Sequence, residues 1–193
     1  RAVCKIEVTE DDQFFATGTN DNVVKVWHCN AMEPKVVLSE QKAAVKALCW
    51  MQDSIGCRRL VIGTGSGDTR ILLYNLNEKR MEGQVYTGAQ VTSVLWSPRH
   101  PTHIVSTHGF RIAYGSGHKV AGSTVTWKLS SAVNTHHQHQ REMTMTLSQR
   151  SSPTQTAVFK RILSAQLVHH SDSTHDSIVC LRDNESIELL SYG

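Results

Sequence analysis

One pattern occurs four times along this chain and constrains its fold more than any other feature. Each copy has an alternating apolar strand, a turn, a second strand ending in small residues, a corner of Gly, Asp or Asn, and a third strand ending in or near an aromatic residue. The copies occupy residues 3–27, 45–74, 91–127 and 162–190. A period of roughly 40 to 45 residues with three or four short strands is typical of WD-type β-propellers, in which each unit forms one blade. The sequence therefore predicts an all-β fold, a partial WD-repeat β-propeller.

The repeats divide the chain into four blades, at about residues 1–40, 41–87, 88–147 and 158–193. Two insertions rich in small or polar residues, at residues 111–122 and 130–156, predict surface loops, the second interrupted by one outer strand. Four such blades in isolation would leave two sheet edges without a partner. We therefore expect about four blades of a total near seven, with three more upstream in the intact protein.

Composition excludes several classes of function. Hydrophobic residues make up 39% of the 193 residues, which is ordinary for a globular protein. No apolar run approaches the roughly 18 residues that span a bilayer, so we expect no membrane partner. The formal net charge is only +3, and basic and aromatic residues do not alternate along one face. We therefore expect no nucleic-acid partner.

The five cysteines have no regular spacing and form no C-x-x-C pair; they are Cys4, Cys29, Cys49, Cys57 and Cys180. Most occupy apolar strand patterns, where a thiol behaves as a small hydrophobic group. We interpret them as reduced core residues of a protein of the nucleus and cytoplasm.

Sequence motifs give little support for catalysis or for a cofactor. The glycine-rich segment 63–68 is followed by a strand, whereas a phosphate-binding loop needs a helix there. His136, His137 and His139 lie in a polar tract without a fixed metal geometry. No G-x-S-x-G nucleophile motif occurs. We expect a protein without enzymatic activity, cofactor or metal.

Five segments, read in order, carry a specific resemblance. They are TGTNDNVVKVW at 17–27, AAVKALCW at 43–50, TGAQVTSVLWSP at 87–98, VSTHGF at 105–110 and VTWKL at 125–129. In this succession they resemble the propeller of the fizzy family, the substrate-recruiting activators of the anaphase-promoting complex. The resemblance covers nearly the whole chain apart from the two insertions. It implies a seven-bladed propeller that performs no chemistry and brings degron-bearing substrate proteins to the ubiquitin ligase, in mitosis or meiosis.

The resemblance also implies two peptide-binding sites. A degron with the sequence lysine-glutamate-asparagine would lie over the central opening, in contact with side chains at the blade corners: Asn20, Asn22, Ser66 in place of the family's Thr, Gln90 and Arg161. Arg161 can pair with the degron glutamate, and the amides can bond polar groups of the peptide. Glu185 is the candidate for the arginine of the destruction-box signal. Taken singly, these residues are equally typical of turns and exposed strand starts.

Some features depart from the family pattern. The last blade ends in residues 189–192 without the usual aromatic pattern, and residue 193 is not followed by the isoleucine-arginine tail that hooks a ligase subunit. Two alternatives therefore stay open. One is a WD-repeat scaffold of an unrelated assembly, and the other is a fragment without a stable fold.

Overall fold

The computed structural model describes residues 2–52, 56–99, 103–108, 112–113, 119–120, 123–129, 143–146, 162–171, 176–182 and 187–192. Every regular element in these ranges is a β-strand, so the all-β prediction is confirmed. The strands form four antiparallel sheets and one short hairpin, as expected for a partial propeller. None of the described residues belongs to a helix that could cross a membrane.

The first two sheets have four strands each, in the order in which they occur in the chain. The first sheet consists of β1 (Val3–Val8), β2 (Phe14–Thr19), β3 (Val24–His28) and β4 (Pro34–Leu38). The second consists of β5 (Val45–Gln52), β6 (Arg58–Thr64), β7 (Arg70–Asn75) and β8 (Arg80–Tyr86). Each is a four-stranded meander with its first strand at one edge, as the blade pattern predicts.

The third and fourth sheets follow the same plan. The third consists of β9 (Val91–Leu95), β10 (His103–His108), β13 (Ser123–Leu129) and β14 (Met143–Thr146). A separate hairpin pairs β11 (Ile112–Ala113) with β12 (Lys119–Val120). The fourth sheet consists of β15 (Ile162–His169), β16 (Asp176–Arg182) and β17 (Ile187–Tyr192).

The first insertion differs from its prediction. We expected residues 111–122 to form a surface loop, but they contain the hairpin of β11 and β12. In this hairpin Ile112 pairs with Val120 and Ala113 with Lys119. In the second insertion, β14 is the expected outer strand.

Apolar layers between successive sheets hold the blades together. One cluster lies between the first and second sheets and includes Val24, Val26, Leu60 and Ile62. A second lies between the second and third sheets, and a third joins Val105 to the fourth sheet. The second sheet is therefore covered by an apolar layer on each face, which is why all six residues of β7 are buried.

The cysteines are less uniformly buried than expected. Cys180 is buried, and Cys49 and Cys57 are half-buried, in agreement with a core role. Cys4 and Cys29 are exposed, so the core interpretation is wrong for these two. Cys4 lies on β1, whose apolar residues are exposed on a sheet that packs only on one side among the described residues.

Candidate functional site

The strand directions bring three corners to the same end of the sheets. β1, β5 and β9 begin at this end, and β2 and β6 end there, since Val3 pairs with Thr19 and Val45 with Thr64. We call it the upper end and define it by residues 20–23, 39–44, 65–69 and 87–90. Asn20, Asn22, Ser66 and Gln90 all lie in these segments. The structure therefore groups four of the predicted site residues at one end.

The two asparagines of the first corner have different structural roles. Asn20 is exposed, and its Oδ1 accepts a hydrogen bond from the Ala2 backbone N–H at 3.1 Å. Its own backbone N–H donates to the Ala2 carbonyl, so it extends the β1–β2 ladder. Asn22 has a φ of 68°, in the left-handed region that asparagine tolerates better than most residues. The bonds of Asn20 and the positive φ of Asn22 therefore shape this corner.

Gln41 joins this corner to the next sheet. Its side chain is almost fully buried, and its amide nitrogen donates to the carbonyl oxygens of Asn22 at 2.9 Å and Leu38 at 3.1 Å. A buried amide with two backbone acceptors holds the Asn22 peptide group in place. The segment before β5 thus positions the first corner.

Asp68 organises the corner of the second sheet. Its Oδ2 accepts from the Lys42 backbone N–H and from Arg70 Nη2, both at 2.9 Å, and its Oδ1 accepts from Arg70 Nε. Arg70 Nη1 also donates to Gln84 Oε1 at 2.7 Å. Burial raises the pKa of Asp68, but the bonds from Arg70 and Lys42 outweigh it, so the pKa lies below its usual value. The Asp68 carboxylate therefore holds the corner together and is not a ligand-binding group.

A further short bridge connects Thr87, at the end of the second blade, to the corner of its own sheet. The Thr87 hydroxyl lies 2.8 Å from the Thr69 carbonyl oxygen and 2.6 Å from the Ala89 carbonyl oxygen. Its backbone N–H donates to the same Thr69 carbonyl at 2.8 Å. Gln90 follows this bridge directly and is half-buried. Ser66 is exposed in the turn between β6 and β7.

Some predicted residues cannot be compared with the structure. Arg161 and Glu185 lie outside the described residues, as do His136, His137 and His139. Among the described residues, no group of three His, Cys, Asp or Glu side chains could hold a metal ion.

A second polar cluster lies at the opposite end, between the third and fourth sheets. Asp176 is fully buried and accepts from Ser97 Oγ, and its Oδ1 lies 2.9 Å from Arg99 Nη1 and 3.0 Å from His169 Nδ1. Burial raises the pKa of Asp176, but the bonds from Ser97 and His169 and the nearby Arg99 charge lower it further than burial raises it. Arg99 also donates to the His170 carbonyl at 2.7 Å. This cluster links the third and fourth sheets.

Sequence reasoning missed the groups that hold the upper end together. Gln41, Asp68 and Arg70 were not singled out, although a Gly-Asp corner followed by an arginine was visible at residues 67–70. An acid two residues before a base, at the start of a buried strand, is a signal that could have indicated the ion pair.

Together, the meander sheets, their apolar layers and their bonded corners define part of a β-propeller of WD-repeat type. The profile of the family "WD domain, G-beta repeat" matches residues 1–28. The fold is also similar to a chain in the crystal structure of the mitotic checkpoint complex, with a TM-score of 0.72 and 26% identity. That match covers 99% of this chain and 49% of the other.

Within this class, the chain is similar to fizzy-type proteins. It is 36% identical over 110 residues to Protein FIZZY-RELATED 3 of Arabidopsis thaliana, which covers 56% of this chain and 22% of that protein. It is 32% identical over 108 residues to the APC/C activator protein CDH1 of Saccharomyces cerevisiae, covering 56% and 19%. The resemblance to the fizzy family is therefore confirmed. The chain spans about a fifth of the length of these curated relatives.

Proposed function

We propose that this chain is the substrate-recruiting part of an activator of the anaphase-promoting complex and binds short degron peptides at its upper end. The observation that carries the proposal is a row of hydrogen bonds at that end. Gln41 bonds to Asn22, the neighbouring Lys42 bonds to Asp68, and Thr87 bonds to Thr69, which follows Asp68. A rigid row of corners presents side chains from three blades without a large ordering cost on binding. The similarity to an APC/C activator protein supports the choice of partner.

In this proposal each site residue has a chemical role. The amides of Asn20, Asn22 and Gln90 bond the amide and ammonium groups of a lysine-glutamate-asparagine peptide, and the exposed Ser66 hydroxyl adds a further donor. Arg161 pairs with the degron glutamate in a charge-assisted bond. Glu185 receives the arginine of a destruction-box peptide. The protein acts as a non-catalytic adaptor, since these groups bind and orient a peptide and perform no bond-breaking step.

The positive φ of Asn22 permits a variant that separates binding from folding. Glycine adopts a φ of 68° readily, so Asn22→Gly removes the amide and keeps the corner. We expect this variant to bind a labelled lysine-glutamate-asparagine peptide at least about fivefold more weakly in fluorescence anisotropy. The matched control is Asn30→Gly, an exposed asparagine in the turn between β3 and β4 at the other end, which should bind like the wild type.

Two further results would count against the proposal. Unchanged peptide affinity of both Asn22→Gly and Arg161→Ala would remove the upper end as the degron site. Co-purification of the full chain without any subunit of the anaphase-promoting complex would favour a scaffold of another assembly.

A further inference from the structure

Each of the four sheets has a register shift near the start of its first strand, and the first two sheets have one more each, between β3 and β4 and between β7 and β8. In the first sheet Val3 pairs with Thr19 while Lys5 pairs with Gly18, so Cys4 is an extra residue on β1. The same one-residue shift occurs near the start of β5, β9 and β15. The extra residues, each at the second position of its strand, are Cys4, Lys46, Thr92 and Leu163.

These four bulges lie at one level near the upper end. β1 contacts β5, β5 contacts β9, and β9 contacts β15, so the first strands stand side by side in an arc. A bulge leaves its residue unpaired in the ladder and changes the direction of the side chain, which is why bulges are common next to binding sites. We call these four residues the bulge arc. The corner residues discussed above lie next to it.

Lys46 is the one charged member of the bulge arc. Its side chain is half-buried, and its Cγ and Cε lie 3.6 Å and 3.5 Å from where a Cβ on Gly65 would be. The lysine stem therefore runs alongside the Gly65 backbone, within ordinary van der Waals range of this position. This stem leads to the turn that contains Ser66, one residue further on.

The charge of Lys46 is not neutralised by any described residue. It takes part in no ion pair or hydrogen bond within the described ranges. The nearby Lys42 differs, because it lies close enough to Asp68 to lower the pKa of that carboxyl. The Asp68 carboxylate is itself held by Arg70. An ammonium without a partner among the described residues, on a half-buried side chain, is suited to bind an anionic group.

We propose that Lys46 binds the carboxylate of an acidic residue flanking the degron motif and so determines a preference for acidic peptides. This inference rests on the proposed function, because it assigns a further specificity-determining residue to the same upper end. Lys46 donates a charge-assisted N–H···O bond, and the partial burial of its side chain reduces the rotamer freedom lost on binding.

The first arm of the test compares two peptides on the full chain. Both contain the lysine-glutamate-asparagine core, one flanked by glutamates and the other by glutamines. We expect Lys46→Met to weaken binding of the glutamate-flanked peptide about fivefold or more and to leave the glutamine-flanked peptide within about twofold. Lys46→Arg should retain the preference, and Lys79→Met, at the other end of the second sheet, should not change it.

The second arm uses an acidic peptide without the core, and observes the NMR signals of ¹³C-dimethylated lysines. The Lys46 signal is assigned by its loss in Lys46→Met. If this signal shifts with the acidic peptide while the core peptides do not bind, the proposed function fails and the role of Lys46 stands. If the core peptides bind but the signal and the affinity ratio are unchanged, the role of Lys46 is overturned. If no peptide binds or shifts the signal, both are overturned.

Discussion

The backbone N–H of Lys42 donates to Asp68 Oδ2 at 2.9 Å, across a separation of 26 residues. The bond ties the segment that leads into the second sheet to the corner of that same sheet. Because Arg70 holds the same carboxylate and also donates to the Glu40 carbonyl at 3.0 Å, both sides of the corner are fixed. The corner of the second sheet and the segment that leads into this sheet therefore depend on one buried acid.

Replacement of Asp68 should test this dependence. The Asp68 side chain is 2% exposed and that of Arg70 9%, so Asp68→Ala leaves a buried guanidinium without its counter-charge. We expect the free energy of unfolding to fall by about 3 kcal/mol in urea denaturation. Glu78→Ala breaks an ion pair with Arg80 that is about half exposed, and should cost less than about 0.5 kcal/mol. Equal losses for the two variants would contradict the assigned role.

Gly63 lies where the second and third sheets approach most closely. A Cβ at this position would be 2.6 Å from Val91 Cγ1 and 3.1 Å from the Ala47 Cβ. Gly63→Ala should therefore destabilise the protein by about 1 to 3 kcal/mol through overpacking, measured by thermal unfolding. In Gly67→Ala the nearest side-chain atom is the Ala43 Cβ at 3.4 Å, an ordinary contact, and little change is expected.

A second substitution shows whether overpacking is the cause. Val91→Ala removes Cγ1, the atom nearest to the new methyl group, so it should cost less in the Gly63→Ala background than in the wild type. If the stability losses of Gly63→Ala and Val91→Ala simply add in the double variant, overpacking at Gly63 is not the cause of the destabilisation.

His108 should make stability depend on pH. Burial lowers the pKa of His108 to about 4, and its Nε2 lies 2.8 Å from Ser106 Oγ. The unfolded imidazole takes up a proton near pH 6.5, whereas the folded one does so only near pH 4. Stability is therefore lost as the pH falls from about 6.5 to about 4, by up to about 3 kcal/mol.

The measurement is urea unfolding of wild type and His108→Gln across this window. The variant cannot take up the proton, so its stability should fall less steeply between about pH 6.5 and about pH 4. Parallel curves would mean that His108 titrates equally in the folded and unfolded states.

The hydrogen bond from Trp27 Nε1 to Thr17 Oγ1, at 3.1 Å, connects β3 to β2 within the first sheet. Thr17→Val keeps the side-chain shape and removes the acceptor, and should cost about 1 kcal/mol. A double-mutant cycle with Trp27→Phe, followed by urea unfolding, should give a coupling energy of similar size. A coupling energy near zero would show that the bond does not contribute to stability.

Local chemistry made several features predictable. The corner at Asn20 and Asn22 was visible in the sequence because asparagine tolerates left-handed backbone, and Asn22 does adopt it. The turn that contains Ser66 was recognised from its glycines, and the strand that follows it from its apolar residues. Arg161 and Glu185 stay predictions, since they lie outside the described residues.

The alternation of apolar residues was sufficient to define the strands, the all-β class and the repeat, because each of these depends on neighbours within a few positions. The pairing register and the packing of one sheet on another were needed for the rest: the bulge at Lys46, the position of its stem beside Gly65 and the bond from Lys42 to Asp68. These features join residues from different strands or repeats, and no local preference encodes which distant group a side chain will meet.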